Sequence, residues 1–293
     1  MKVKKQIPVY DERESFIDHK MDHFYVSSYQ DKNDKSLNRI DEHKHTYYEI
    51  IWVEEGRGNH EIDFTKYRFN GPCLFLLHPQ NVHKIYKECP SKGGVIKFNN
   101  QFFSTDETNI NFLLKFGVFD DIDVFPVLNL NKNEADEIKN YFSIIYAEYK
   151  KTSVFSPTIL LSVLKAFLLK IYEFKKKNTA SKGLKNNDFI RFKQFQKLVE
   201  KNFLQIHQVS FYANLMNLSE KTLYNTCKAI SEKSAQELIQ QRILLEAKRL
   251  LVYSNFSVKE IATQLGFDDY SYFTRFFSKN VGFSPIQFRQ QHL

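Results

Sequence analysis

Arg275 and Asn225 are the residues of this chain whose chemistry is easiest to assign, because they occupy one outward position of a helical pattern that is written twice. The first copy runs Ala213-Asn214-Leu215-Met216-Asn217-Leu218, and Ser219 then opens a helix with Leu223 and Cys227 on its apolar face. The second runs Ala262-Thr263-Gln264-Leu265-Gly266-Phe267, and Asp269 opens a helix with Phe273 and Phe277 at the same places. The copies align at a shift of 49 residues up to Leu218/Phe267 and of 50 beyond, so the second turn is one residue longer. Each copy reads as a helix, a tight turn and a second helix. The outward face of that second helix falls to Lys221, Tyr224 and Asn225 in the first copy and to Tyr270, Ser271, Thr274 and Arg275 in the second. A guanidinium can pair bidentately with a guanine edge and an Asn amide with adenine, and these are the positions that a helix-turn-helix sends into a major groove. Arg275 is the expected base contact.

Such residues need a rigid frame. Between the copies, Ala235 to Tyr253 forms a predicted helix with Leu238, Ile239, Ile243, Leu244, Ala247, Leu250 and Leu251 inward. Its ~28 Å length, at roughly 1.5 Å per residue, could hold two reading helices near one DNA turn apart. Capping boxes at Ser234-Ala-Gln-Glu237 and Ser257-Val-Lys-Glu260, and a cap followed by proline at Ser284-Pro285-Ile-Gln287, mark helix starts. About seven helices are expected in this half.

Upstream the pattern changes. Short β-rich runs, Tyr47–Val53, His60–Phe64, Leu74–Leu77 and Val95–Phe98, alternate with turn residues such as Glu54-Glu55-Gly56-Arg57-Gly58, Asn70-Gly71-Pro72 and Pro79-Gln80-Asn81. Their spacing predicts a small sandwich or barrel. After Pro126, Asn133–Lys151 carries Ile138, Tyr141, Phe142, Ile145 and Tyr149 at helical spacing, and Ser156-Pro157 starts a second helix with proline in its first turn. That helix presents Leu160, Leu161, Leu164, Phe167, Leu168 and Ile171, a stripe broad enough to suggest dimerisation through Pro157–Phe174. Lys175 to Gly183 has no apolar side chain larger than alanine and reads as a linker.

The chain has 293 residues, enough for two domains, and its formal charge of +8 is unevenly placed. Residues 1–181 hold 26 Lys+Arg against 25 Asp+Glu, whereas 182–293 hold 16 against 9, so the half with the repeated helices carries a net +7. A basic half beside a neutral one points to a polyanion partner. Three dispersed cysteines, Cys73, Cys89 and Cys227, argue against a disulfide framework and suit a reducing cytoplasm. The N-terminus lacks the apolar core of a signal peptide, and Thr158–Phe174, interrupted by Lys165, Lys170 and Glu173, is too short and too charged to span a bilayer. A soluble cytoplasmic protein without a membrane partner is expected.

Residues 258–289 closely resemble the signature of the AraC/XylS family of bacterial transcription regulators, through Ala262, Gly266, Phe267, Ser271, Tyr272, Phe273, Phe277, Gly282, Ser284, Pro285, Phe288 and Arg289. The chain departs from the usual pattern at Ser278, where Lys is common, and in the first copy at Asn225 and Cys227, where Arg and Phe are common. The family's linker-helix Arg is present as Arg242. The resemblance implies an α+β chain with an N-terminal cupin-like β-barrel and dimerisation helices, followed by an all-α double helix-turn-helix domain. The expected boundaries are 1–130 for sensing, 131–177 for dimerisation, 178–187 for the linker and 188–293 for DNA binding. Double-stranded DNA, a small-molecule effector, a second copy of the chain and RNA polymerase are the implied partners.

His43-Lys-His45-Thr-Tyr-Tyr-Glu49, followed by Gly56, resembles the first cupin motif, in which two His and a Glu ligate a metal; His83 in Pro79-Gln-Asn-Val-His83 is the candidate fourth ligand. Imidazoles and a carboxylate suit iron, manganese or zinc. His83, however, lies four residues after the proline where the cupin spacing is five. The expectation is therefore a site without metal or other cofactor, in which His43, His45, Tyr47, Glu49 and His83 meet an organic effector and Trp52, Phe75 and Tyr86 form walls. The same side chains could instead be structural residues of strand ends. No Ser/His/Asp, Cys/His or phosphate-binding glycine loop is discernible, so an enzyme is not expected; a metal-dependent cupin enzyme fused to a helical domain is the rival reading.

Overall fold

The computed structural model describes residues 8–10, 21, 23–31, 41–79, 81–103, 119, 126–179 and 186–292. Two compact units divide the chain, one spanning Pro8–Lys182 and the other containing Gly183–Leu293.

The first unit is built on strands β1 (Val9–Tyr10), β2 (Phe24–Ser28), β3 (Lys44–His45), β4 (Tyr48–Glu55), β5 (Arg57–Ile62), β6 (Thr65–Asn70), β7 (Cys73–Leu77), β8 (His83–Lys87), β9 (Lys92–Phe98) and β10 (Val127–Asn129), followed by helices α1 (Lys132–Tyr149) and α2 (Ser156–Thr179). Five strands form an antiparallel sheet in the order β10-β7-β4-β9-β2, and three form a second in the order β6-β5-β8. Among the described strands the expected barrel is therefore realised as these two open sheets, beside a short parallel pair of β1 and β3. Between them lie Tyr25, Tyr47, Ile51, Val53 and Phe75 from the larger sheet and its approaches, with Ile62 and Phe69 from the smaller. Strand alternation sends Tyr48, Ile50 and Trp52 to the opposite face of β4, where they join Ile138, Phe142 and Ile145 of α1 and Leu160, Leu164, Phe167, Leu168 and Ile171 of α2. Strands β1, β2, β3, β6, β8 and β10 were not read from the sequence as separate runs.

Most of the apolar stripe that suggested dimerisation through Pro157–Phe174 is accounted for within this unit. The broad apolar stripe is spent on the unit's own core, with Leu160, Leu164, Phe167, Leu168 and Ile171 all fully buried. α1 starts at a capping box made by Asn131 and Glu134. Its far end is tied to α2 by the hydroxyl of Ser156, which donates to Glu148 at 2.7 Å. α2 also runs on to Thr179, past the Lys175 start of the expected linker. Residues 180–185 of that linker, and Gln80 in the upstream turn, lie outside the described residues.

The second unit holds seven described helices, the number that its caps predict: α3 (Asn186–Asn202), α4 (Val209–Leu215), α5 (Glu220–Ser231), α6 (Ala235–Tyr253), α7 (Val258–Gln264), α8 (Tyr270–Val281) and α9 (Pro285–His292). Ser234 and Ser257 form complete capping boxes with Glu237 and Glu260, and Gln287 and Ser284 exchange the corresponding bonds at the head of α9. In the core, Leu223 and Cys227 of α5 and Phe273 and Phe277 of α8 are fully buried, so the repeat read from sequence is a repeat of packing.

Candidate DNA-reading helices and a buried imidazole cluster

Each helix pair is set by its turn. α4 and α5 are separated by Met216–Ser219, and α7 and α8 by Leu265–Asp269, one residue more. Asn217 and Gly266 occupy the same place in the two turns, and both have left-handed backbone, at φ 53° and 74°. Gly266 faces a second constraint, since a Cβ there would stand 2.4 Å from the Leu204 carbonyl oxygen. Ser219 caps α5 by accepting from the Thr222 N–H, and Asp269 caps α8 by accepting from the Ser271 N–H.

On α5, Lys221, Tyr224 and Asn225 are all exposed, Tyr224 by 48%. On α8, Tyr270, Ser271 and Arg275 are exposed as expected. The Arg275 side chain is 71% exposed and pairs with the Asp269 carboxylate at 3.9 Å, a surface contact of little strength that leaves the guanidinium available. Thr274 departs from the expectation. It is half-buried, and its hydroxyl oxygen is shielded with no hydrogen-bond partner among the described residues, because it sits on the edge of the Phe273/Phe277 stripe. Tyr272, by contrast, is 56% exposed and extends the outward face, although the sequence reading did not place it there.

The spacing of the two readers rests on α6 and on two buried or anchored arginines. Arg242, 9% exposed, stacks at 3.8 Å on Phe203 and donates from Nε and Nη2 to the two carboxylate oxygens of Glu200 at 2.7 and 2.9 Å, with Nη1 donating to Glu246 at 3.0 Å. It therefore fastens α6 to α3. Arg289 donates to the Leu251 and Phe256 carbonyls at 2.7 and 2.6 Å and fastens α9 to the end of α6. Both are positioning residues within the frame.

In the first unit the structure does bring the sequence-predicted polar residues together. His43, His45, Tyr47, Glu49 and His83 are all buried. His43 and His83 face each other across an isolated β-bridge with ring centroids 4.2 Å apart, and Tyr47 stacks on His45 at 4.3 Å. One Glu49 carboxylate oxygen lies 3.6 Å from His45 Nε2 and 3.7 Å from His83 Nε2, while the other lies 3.7 Å from Lys97 Nζ. Burial drives the His45 imidazole down to about 4, with the Glu49 carboxylate opposing. Burial also holds His83 well below its ordinary value, with nearby His43, His45, His60 and Lys97 adding to the effect.

Two members of the cluster were missed. His60 Nε2 lies 3.0 Å from His83 Nδ1 and is itself fully buried, its burial and the neighbouring His43 and His45 driving it down to about 3. Lys97 reaches the same carboxylate from β9. A period-two reading of β5 would have found His60, which shares the buried face with Gly58 and Ile62. Of the expected walls only Phe75 fits, its ring 4.5 Å from that of His60. Trp52 lies on the other face of β4, and Tyr86 is 60% exposed.

Comparison with known proteins divides the chain in the same way. Residues 212–291 match a helix-turn-helix domain family, and residues 27–111 match the AraC-like ligand binding domain family. The HTH-type transcriptional regulator YfiF of Bacillus subtilis is 24% identical over 257 residues, covering 84% of this chain and 78% of that protein. The HTH-type transcriptional activator RhaS of an Enterobacter species is 22% identical over 256 residues, covering 85% and 87%. Among solved structures, ToxT from Vibrio cholerae aligns over 91% of this chain and 97% of its own at 16% identity and a TM-score of 0.42. The C-terminal domain of the response regulator yesN from Fusobacterium nucleatum aligns over 32% and 93% at 28% identity and a TM-score of 0.32. Among the described residues no helix is long and apolar enough to cross a membrane.

Proposed function

Because the chain belongs to the AraC/XylS family of transcriptional regulators, we propose that it reads two successive major grooves of one operator through α5 and α8, under the control of a ligand held in its N-terminal unit. The observation that carries this reading is the pair of exposed faces, Lys221/Tyr224/Asn225 and Tyr270/Ser271/Arg275, on helices whose opposite faces are fully buried. The 19 residues of α6 give a strut of ~28 Å, close to the ~34 Å of one DNA turn. Thr274 contributes through its position beside the groove rather than as a freely turned hydroxyl.

Relatives named as activators favour activation over repression, with RNA polymerase as the protein partner. A homodimer would serve paired operator sites, using the exposed apolar residues Ile144, Ile159 and Leu169 beside the stripe that the core consumes. The effector site comprises His43, His45, Tyr47, Glu49 and His83. Its neutral, mutually packed imidazoles support ligand binding, and no observation favours an enzyme.

Selection of bound fragments from random duplex DNA tests the reading. The expected product holds two groups of specified base pairs whose centres lie about one turn, roughly 10.5 bp, apart. A single group, or no enrichment, would refute the two-reader arrangement.

A further inference from the structure

The buried cluster around Glu49 has an electrostatic defect as drawn from protein atoms alone. His45 Nδ1 lies 2.7 Å from the Tyr47 carbonyl oxygen, which can only accept, so Nδ1 carries the hydrogen. With Nδ1 engaged by the backbone, Nε2 is the ring nitrogen left facing the rest of the cluster. The Glu49 carboxylate oxygen 3.6 Å from this Nε2 is too distant for a hydrogen bond. His83 Nε2 approaches the same oxygen at 3.7 Å. Both Nε2 atoms are buried with no hydrogen-bond partner. His83 can take the same tautomer as His45, because its Nδ1 has the His60 Nε2 as an acceptor at 3.0 Å.

Two unpartnered imidazole nitrogens beside one carboxylate oxygen make a donor set suited to a cation. The three ligand atoms all lie within 4.8 Å of one another, close enough for one ion to meet all three. We propose that His45 Nε2, His83 Nε2 and one Glu49 oxygen hold a divalent transition-metal ion of the zinc, iron and manganese class, with a further coordination position left open. Imidazole nitrogen and carboxylate oxygen are the donors this class prefers, and contacts through the other ring nitrogen, to Tyr47 and to His60, are the supports that orient metal-bound histidines. The sequence argument against a metal rested on the position of His83 relative to Pro79. The fold overrides it, because β8 delivers His83 across the sheets to Glu49 of β4 whatever the length of the preceding turn.

Charge completes the picture. Glu49 is already faced by Lys97 on its other oxygen, 3.7 Å away. A divalent ion added to that pair leaves an excess of positive charge in a buried site, which an anionic oxygen donor in the open position would offset. The effector class that follows is a small carboxylate or similar oxyanion bound through the metal. Its role as the regulator's input rests on the function proposed above; ion binding itself does not.

Full-length protein, stripped with a chelator and titrated with Co2+, tests the assignment by its visible absorption spectrum, alongside elemental analysis of untreated protein. The expected result is one ion per chain, with Glu49→Gln and His83→Asn each weakening Co2+ binding at least about ten-fold. Emission from Trp52, the single tryptophan, checks that the N-terminal unit of each variant remains folded. Wild-type protein that takes up no stoichiometric metal overturns the proposal whatever the variants do, as does binding of undiminished strength in both folded variants. Parallel measurement of sequence-selective DNA binding separates the two readings. Selective binding without metal removes only the metal site, whereas metal without selective binding removes the regulator.

Discussion

Gly266 combines a φ of 74° with a neighbouring carbonyl that a Cβ would meet at 2.4 Å. Gly266→Ala should therefore cost the second unit about 1–3 kcal/mol, read as a lower thermal midpoint by circular dichroism. An unchanged midpoint would show that the Leu204 backbone can move aside. Glu232 presents the opposite case. It ends α5 at φ 63°, where Gly282 ends α8 at 83°, so a non-glycine residue occupies a left-handed cap. Glu232→Gly should raise stability by up to about 1 kcal/mol, since the left-handed conformation costs roughly 1–2 kcal/mol and glycine's added chain entropy returns part of it. A loss of stability would indicate that the Glu232 side chain contributes more than its backbone strain removes. At this scale the sequence was most legible where a residue has one job, as with Gly266. It was least legible where position alone decides, as with Thr274, whose hydroxyl is shielded at the edge of an aromatic stripe.

Among the elements, α2 is the one whose role changed most between sequence and structure. Periodicity revealed its broad apolar face but not what covers it, because a stripe buried against a sheet and one buried against a second copy have the same pattern. Leu168 and Leu169 now separate these roles, being fully buried and 39% exposed respectively. Leu168→Glu should unfold the N-terminal unit, with Trp52 emission shifting to the red, since an unpaired carboxylate in that core exceeds what a marginally stable unit tolerates. Leu169→Glu should leave emission unchanged and weaken self-association in sedimentation. A folded Leu168→Glu variant would contradict the packing, and unaltered association in Leu169→Glu would remove that face from the dimer. The helices of the second unit were legible because serines with Glu or Gln three residues on, and a proline after a cap, announce their starts. Strands β6 and β8 were not, because they flank β5 in a three-stranded sheet, bury one face and carry Lys and Arg on the other, which weakens the apolar run by which a strand is recognised.

For the molecule as a whole, charge and repetition together state the central claim, that the basic second half reads DNA by sequence through two helices. Its net +7 supplies an affinity that any duplex would share, and that part should fall steeply as salt rises. Selectivity must come from side chains such as Arg275, exposed and only loosely paired. The most direct test is the affinity of wild-type and Arg275→Ala protein for a selected fragment and for random duplex at one fixed salt concentration. The account predicts that Arg275→Ala loses about 1–3 kcal/mol on the selected fragment and almost nothing on random DNA, so that the ratio of the two affinities falls at least about five-fold. Equal losses on both would make Arg275 a phosphate contact and contradict the assignment of α8 as a base-reading helix.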